Sequence, residues 1–216
     1  PSPIQVFDQF IEVLNDGRLW QHTSVTLREV MSGLVVGVSI GMTLGYLIAR
    51  IPLLDDILSP LIVSLQSTPV VAYAPLLVIW FGSGPTGKTI TSALIVFFPM
   101  LMNTVVGIRN VPTNLRDLMH ISGASKWQTL IKLEIPAALP ILMTGLKTGA
   151  SLAVIGAVVG EFINASAGLG FMITVARSQF DTPLVFVGVI TLTFIARLIY
   201  GAIAMLEYRL LAWKRY

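Results

Sequence analysis

Residues 109–147, RNVPTNLRDLMHISGASKWQTLIKLEIPAALPILMTGLK, form the one long polar interval between apolar runs, and the fold prediction starts from them. Pro112 disfavours continuation of a preceding helix, and Thr113 or Asn114 can cap a new one. The positions that follow have helical spacing and predict a short amphipathic helix whose narrow face contains Leu115, Leu118, Met119 and Ser122.

A second short helix is predicted directly after the first. Gly123 stands where a residue in the left-handed conformation would end the first helix. Ser125 and Gln128 form an S-x-x-Q capping box that starts the second one, and Pro136 with Pro140 is expected to end it. Two short helices joined at a glycine, between apolar runs, indicate a docking surface rather than a linker.

This segment resembles the EAA loop of the membrane subunits of ATP-binding-cassette importers, whose pattern is E-A-A-x3-G-x9-I-x-L-P. Asp117, Leu118 and Met119 stand at the E-A-A positions, and Gly123 stands at the glycine. Residues 133–136 fill I-x-L-P as Leu-Glu-Ile-Pro, so the spacing from glycine to proline is kept. The triplet departs from the pattern, since only its acidic character remains.

The wider resemblance is to the nitrate/sulfonate/taurine group of permeases and extends over about residues 1–213. The shared positions are His22, Thr26-Leu27, Pro75-Leu76, Trp80-Phe81-Gly82, Phe98-Pro99, Pro136 to Pro140, Glu161 and Gly168-x-Gly170. The resemblance implies an all-α polytopic membrane protein with the type I (MetI-like) transmembrane domain. It also implies one domain over residues 1–216, with a cytoplasmic coupling loop at 109–137.

The same resemblance implies a permease subunit that imports a small solute, such as nitrate, a sulfonate, taurine, bicarbonate or a vitamin precursor. An extracytoplasmic binding protein would deliver the solute at the bacterial inner membrane, and a separate ATPase would carry ATP and Mg²⁺, with no cofactor in this chain. The ATPase would dock on Asp117, Leu118, Met119, His120, Ser122, Gly123, Ala124, Ser125, Trp127 and Pro136. One chain has too few spans to enclose a path, so two copies are expected to pair.

Composition independently predicts an integral membrane chain. The 216 residues are 55% hydrophobic and 12% charged, about half the charge of a soluble domain. The basic residues are interleaved with apolar runs, so the net charge of +3 does not indicate nucleic-acid binding. The absence of cysteine excludes disulfides and thiol chemistry. The two histidines have no metal-ligand spacing, and no catalytic triad is indicated.

Apolar runs long enough to cross a bilayer predict five membrane spans, at about residues 26–49, 58–81, 89–108, 138–162 and 183–206. Residues 1–24 are expected outside the bilayer, with an interfacial helix over about 4–14. Nine Lys and Arg residues lie on the side of the 109–147 loop and four on the other, which predicts an external N-terminus and a cytoplasmic C-terminus. Relatives usually have a further N-terminal span, which is expected to be trimmed or absent here.

Two of the predicted spans have features beyond hydropathy. Small residues recur every four positions in the first span, at Gly33, Gly37, Gly41 and Gly45, and predict a packing seam. Three prolines interrupt the second span, and freed backbone groups at membrane depth need a protein or aqueous partner. We therefore expect Gln66, Ser67, Thr68 and Pro69 to line the translocation path, although a purely structural kink fits equally well.

Ionisable residues in apolar runs are candidates of a second kind. Glu161 ends the fourth span and is assigned to the translocation path, with an interfacial residue as the alternative. Arg197 lies in the middle of the fifth span and needs a partner, for which Glu161 and lipid phosphate are both conceivable.

Residues 82–89, GSGPTGKT, match the P-loop pattern G-x4-G-K-[ST] literally. The chemistry also needs a preceding strand and an acid for magnesium, and neither is predicted here. We therefore interpret the match as a turn between spans, with Lys88 inert on the outer face. A membrane-bound nucleotide hydrolase and an ATP-independent secondary carrier or channel remain the alternatives, although a carrier or channel would be expected to show internal repeats and several mid-membrane charges.

Overall fold

The computed structural model describes residues 1–82, 84–163 and 165–215, and these residues are almost entirely helical. The helices are α1 (Pro3–Asn15), α2 (Arg18–Arg50), α3 (Pro52–Ser67), α4 (Ala74–Phe81), α5 (Pro85–Arg109), α6 (Thr113–Ile121), α7 (Lys126–Thr129), α8 (Ile135–Ile163), α9 (Leu169–Ser178) and α10 (Thr182–Leu210).

Within the described residues, four helices are long and apolar enough to cross a membrane. They are α2, α5, α10 and the continuous helix Lys126–Ile163, and they confirm the first, third, fourth and fifth predicted spans. Three of them begin four or more residues earlier than predicted, at Arg18, Pro85 and Lys126. The helix α1 precedes α2, over the residues that were predicted to form an interfacial helix.

The prediction of one kinked helix over residues 58–81 is wrong. The structure has two helices there, α3 and α4, with a 3-10 turn at Val70–Ala72 between them. Pro69 explains the break, because a proline disfavours helical geometry in the residue before it. Thr68 accordingly adopts an extended conformation, with φ −88° and ψ 130°.

Pro136 and Pro140 do not end a short helix, so that prediction is also wrong. The helix that begins at Lys126 passes through both prolines and ends at Ile163. A π-helical turn at Leu130–Glu134 connects α7 to α8. The wider turn ends two residues before Pro136, a residue that cannot donate a backbone hydrogen bond. The segment predicted to dock is therefore one short helix and the exposed beginning of a long apolar helix.

The helix α5 lies at the centre of the fold, between the glycine stripes of α2 and α8. A Cβ added to Gly37 would lie 2.6 Å from the Ala93 carbonyl oxygen, and one added to Gly45 would lie 2.7 Å from that of Leu101. On the opposite side, a Cβ at Gly156 would lie 2.6 Å from the Ser92 Cα. The predicted seam is thus confirmed within one chain, and close backbone approach requires glycine there.

These contacts also fix the helix directions. Gly33 lies against Ser92 and Gly45 against Thr104, so α2 and α5 run parallel. Gly156 also lies against Ser92 and Gly145 lies against Asn103, so α8 runs antiparallel to both. The C-terminal ends of α2 and α5 therefore meet the start of α8 at one end of the bundle, and their N-terminal halves meet its end at the other.

Candidate functional site

The turn after α6 has the geometry that the sequence predicts. Gly123 has φ +72°, and its N–H donates to the His120 carbonyl over 3.0 Å. The next N–H, of Ala124, donates to the Met119 carbonyl over 3.0 Å, which completes a Schellman motif. The left-handed conformation favours glycine because a Cβ would be strained there.

Local capping is confirmed at the second helix but not at the first. The Gln128 N–H donates to Ser125 Oγ over 3.2 Å, and the Ser125 N–H donates to Gln128 Oε1 over 2.8 Å. These two bonds form the predicted capping box. The prediction of Thr113 or Asn114 as the first cap is wrong, since Pro112 occupies the N-cap position without a side-chain bond.

The surface around this turn is rich in exposed apolar side chains. Leu118 is 58% exposed, Trp127 is 68% exposed and Ile121 is 82% exposed. Asp117, His120, Ser122, Gly123 and Ser125 are also exposed, whereas Met119, Ala124 and Pro136 are half-buried. The sequence prediction missed Ile121. Its spacing of three from Leu118 is the signal that could have indicated it.

A buried carboxylate, Glu134, anchors α6 to the rest of the bundle. Its Oε1 accepts from Arg116 Nε over 3.1 Å and lies 3.3 Å from Arg50 Nη1. Its Oε2 accepts from the Tyr46 hydroxyl over 3.3 Å, and Arg116 Nη2 also donates to the Ile108 carbonyl. We call Tyr46, Arg50, Arg116 and Glu134 the Glu134 cluster. It joins α2, α5, α6 and the π-helical turn, and sequence analysis assigned it no role.

A second ion pair lies at the same end of the bundle. Asp55 at the start of α3 lies 2.7 Å from Arg109 Nη2 at the end of α5. The Ser59 hydroxyl, which donates to Asp55, and the Arg109 guanidinium lower the pKa of the Asp55 carboxyl. The carboxylate is therefore ionised at neutral pH and joins the two helix ends.

Glu161 lies at the opposite end of the bundle and is 2% exposed. Its Oε1 accepts from the Thr26 hydroxyl over 2.6 Å, and its Oε2 accepts from the Gly170 N–H over 2.5 Å. The Leu169 N–H donates to Thr26 Oγ1 over 2.8 Å. A Cβ at Gly168, which has φ +118°, would collide with the carboxylate. The structure thus buries Glu161 beneath the turn before α9, and its assignment to an open path is not supported.

Lys88 and Glu29 are buried beside Glu161. Lys88 Nζ lies 2.9 Å from Glu29 Oε1, and both side chains are buried. Thr26, which donates to Glu161, lies one helical turn before Glu29 on α2, and a Cβ at Gly160 would lie 3.2 Å from the Lys88 Cα. We call Thr26, Glu29, Lys88 and Glu161 the Glu161 cluster.

This contact shows that Lys88, which was predicted to be inert on the outer face in a turn between spans, is buried in a helix, and it argues against a functional P-loop. The amine that would bind phosphate in a P-loop is buried against a carboxylate, and Lys88 belongs to the first turn of α5. Ser83, which completes the matching sequence, lies outside the described residues.

The remaining sequence candidates lie on the surface. Gln66, Ser67 and Pro69 are exposed at the break between α3 and α4, and Thr68 is half-buried. Arg197 is exposed on α10, so the conceivable pairing with the buried Glu161 is not formed. Within the described chain, no three His, Cys, Asp or Glu side chains are placed to hold a metal ion.

Comparison with known proteins agrees with the fold and with the coupling-loop resemblance. Residues 37–212 match the family described as binding-protein-dependent transport system inner membrane component. The chain is 46% identical over 214 residues to the riboflavin transport system permease protein of Chloroflexus aurantiacus, covering 99% of this chain and 80% of that protein. It is 35% identical over 215 residues to the formylaminopyrimidine transport permease protein of Halalkalibacterium halodurans, covering 100% and 86%.

A third relative and one solved structure complete the comparison. The taurine transport system permease protein of Escherichia coli is 33% identical over 218 residues, covering 99% of this chain and 79% of that protein. A chain of the MetNI methionine ABC transporter in an inward-facing conformation has a TM-score of 0.70 at 19% identity, covering 91% of this chain and 96% of that one. The structural likeness shows the type I importer fold. The chain belongs to the binding-protein-dependent transport system inner membrane component family and is a permease subunit of an ABC importer of small solutes.

Proposed function

We propose that this permease binds its ATPase through the surface formed by α6, the Gly123 turn and the start of the helix at Lys126. This proposal rests mainly on a group of exposed apolar side chains, Leu118, Ile121 and Trp127. They lie beside a turn whose geometry is fixed by a Schellman motif and a capping box. Large exposed apolar side chains mark protein interfaces, and tryptophan is enriched among the residues that dominate binding. The contact set is Asp117, Leu118, Met119, His120, Ser122, Gly123, Ala124, Ser125 and Trp127, together with Pro136.

The Glu134 cluster gives this surface a mechanical connection to the membrane helices. A force on α6 reaches Glu134 through Arg116, and from there reaches α2 through Arg50 and Tyr46. Arg116 also contacts the last turn of α5 through the Ile108 carbonyl. Movement of the ATPase would therefore displace α2 and α5 together, which is what coupling of hydrolysis to transport requires.

The proposed assembly is a homodimer in the bacterial inner membrane, with the Gly123 surface in the cytoplasm and a binding protein on the other face. The distribution of basic residues supports this orientation. The proposed path is lined by Gln66, Ser67, Thr68 and Pro69, at the break where Thr68 and Pro69 separate the end of α3 from the 3-10 turn before α4. Non-helical backbone at membrane depth is stable beside protein or an aqueous cavity, and the second copy would enclose that cavity.

The proposed solute is a heterocyclic vitamin or vitamin precursor. The support is the ranking of the relatives, since identity is 46% and 35% to proteins named for riboflavin and formylaminopyrimidine transport. It is 33% to the protein named for taurine and 31% to one named for aliphatic sulfonates. A thermal-shift screen of the cognate binding protein with these four compounds tests the proposal. Stabilisation by taurine or a sulfonate alone would contradict it.

A charge placed on the apolar surface tests the ATPase contact. Ile121→Glu is expected to weaken retention of the ATPase about 30-fold, because loss of a dominant interface residue costs about 2 kcal/mol or more. Co-purification of the ATPase with detergent-solubilised permease measures the effect. Phe180→Glu is the matched control, since Phe180 is 91% exposed in the turn before α10. Equal loss of the ATPase in both variants, or in neither, would exclude α6 as the contact.

A further inference from the structure

The Glu161 cluster has an excess of buried acid. It contains two carboxyl groups, Glu29 and Glu161, and one ammonium group, Lys88, and all three side chains are more than nine-tenths buried. With both carboxyl groups ionised, the cluster would have a net charge of −1 between apolar helices. An uncompensated buried charge is strongly unfavourable, and groups in this position are neutralised instead.

The hydrogen bonds of the cluster leave one buried carboxyl oxygen without a partner. Both oxygens of Glu161 accept bonds, from the Thr26 hydroxyl and the Gly170 N–H. Glu29 Oε1 accepts from Lys88 Nζ. Among the described residues, Glu29 Oε2 is the buried side-chain oxygen or nitrogen atom without a hydrogen-bond partner. Glu29 lies one helical turn after Thr26, the hydrogen-bond partner of Glu161, and two ionised carboxylates at this end of the bundle would have no hydrogen to share.

No other described element supplies the missing positive charge. The helix α2 contributes His22, whose Nδ1 accepts from the Gly168 N–H and therefore carries no proton on that nitrogen. The helix α5 contributes Lys88, and the described part of the 165–170 turn contributes only backbone groups and small or apolar side chains. The basic residues of α9 and α10 nearest in sequence, Arg177 and Arg197, are exposed.

We propose that Glu29 carries a proton on Oε2 and donates it to the Glu161 carboxylate, so that this end of the bundle is a proton-binding site. The proton gives the orphaned oxygen a hydrogen-bond partner and makes the cluster neutral. Glu161 remains the charged acceptor for Thr26 and Gly170, and Glu29 Oε1 remains the acceptor for Lys88.

The site connects protonation to the turn between α8 and α9. Glu161 holds Gly170 directly and Leu169 through Thr26, and Lys88 reaches the Ala167 carbonyl over 3.5 Å. Loss of the proton leaves two like charges beneath this turn. With its proton, the folded cluster binds one proton more than the unfolded chain at neutral pH. Its stability therefore falls as the pH rises from about 4.3, the pKa of an unfolded glutamate, until the folded cluster loses the proton.

Glu29→Gln distinguishes a protonated Glu29 from an ordinary ion pair. A glutamine places an N–H where the proposal puts the O–H, and its oxygen still accepts from Lys88. In the permease in detergent, we expect the unfolding midpoint at neutral pH to be no lower than the parent's, because the glutamine is neutral without taking up a proton. We also expect the alkaline decrease of that midpoint to be reduced relative to the parent.

Glu134→Gln is the matched control, because Glu134 is an equally buried carboxylate with two cationic partners. It is expected to lower the midpoint at neutral pH and to leave the alkaline decrease as in the parent. A Glu29→Gln variant that is destabilised as much as Glu134→Gln would show that Glu29 is ionised, and the proposal would be wrong.

Infrared spectroscopy of the parent protein tests the proton without any variant. We expect the carbonyl stretching band of a protonated carboxylic acid at neutral pH, a shift of that band in D2O, and its loss on alkaline titration. The exposed carboxyl groups are ionised at neutral pH, so they contribute no such band. Its absence from the folded parent at neutral pH would overturn the proposal even if Glu29→Gln failed to fold.

Discussion

Glu134 and Glu161 are two buried glutamates on the same continuous helix, near its two ends, and their surroundings are opposite. Glu134 faces two guanidinium groups and a tyrosine hydroxyl. Glu161 accepts from a threonine hydroxyl and a backbone N–H, and no cation is paired with it among the described residues. Burial is the same, so the partners alone decide that one cluster has excess base and the other excess acid.

The two clusters, which differ in net charge, stabilise different parts of the protein. The Glu134 cluster fixes α6, whose exposed apolar face is the proposed ATPase contact, and its arginines remain partly exposed. The Glu161 cluster fixes a turn of the same chain and is closed to solvent. A partly exposed cluster tolerates an unbalanced charge because water screens it, whereas a closed cluster has to be neutral.

The largest effect is expected for Glu134→Ala. It removes the carboxylate between Arg50 and Arg116, and breaking a buried pair from one side costs about 3–5 kcal/mol. Since the arginines are partly exposed, we expect about 3 kcal/mol and loss of ATPase-coupled transport. Denaturant unfolding and substrate-stimulated hydrolysis measure the two effects. A stable variant with normal coupling would contradict the role assigned to the Glu134 cluster, because the position of α6 would then not depend on Glu134.

A smaller effect at the same end is expected for Gly123→Val, which changes the turn and leaves its anchor intact. No atom lies within 4 Å of a Cβ at Gly123, so the cost arises from the left-handed backbone and amounts to about 1–2 kcal/mol. We expect normal membrane insertion, with weaker ATPase binding and reduced stimulated hydrolysis.

Gly123→Asn is the control for that variant, since asparagine tolerates this conformation better than other residues with a side chain. It is expected to retain most of the coupling. If valine and asparagine both left hydrolysis unchanged, then the turn geometry would not matter for docking.

The smallest of the expected effects is that of Lys88→Met on ATP hydrolysis. Lys88 lies in the Glu161 cluster, and its amine is paired with Glu29. We expect ATP hydrolysis per assembled transporter to stay within about twofold of the parent's, whereas P-loop lysines hold the phosphates directly. A loss of several orders of magnitude in correctly assembled protein would restore the P-loop interpretation of residues 82–89.

Most features that depend on neighbours in sequence were predicted correctly, with the cap of α6 as an exception. The Ser125–Gln128 capping box and the Gly123 turn each close within a few residues, so their residue types determine their geometry. The glycine repeat of α2 also predicted a packing seam, because a spacing of four places all its members on one face of a helix. Hydropathy predicted four of the five spans as continuous helices.

Features that depend on competition between local and tertiary interactions were not predicted. Pro69 ends a helix, whereas Pro136 and Pro140 are accommodated within one. The three prolines have the same intrinsic preference. The π-helical turn before Pro136, anchored by Glu134 to Arg50 and Arg116, stabilises the continuous helix there.

The sequence by itself determined that this is a polytopic helical membrane protein with a capped loop between its spans, since composition and short-range motifs are local properties. Only the tertiary structure decided the partners of its buried charges. Thr26 and Glu161 are 135 residues apart, and Glu29 and Lys88 are 59 apart. The sequence separation of such residues does not determine whether they touch. Their contacts form only when the glycine seams let the backbones of α2, α5 and α8 approach closely.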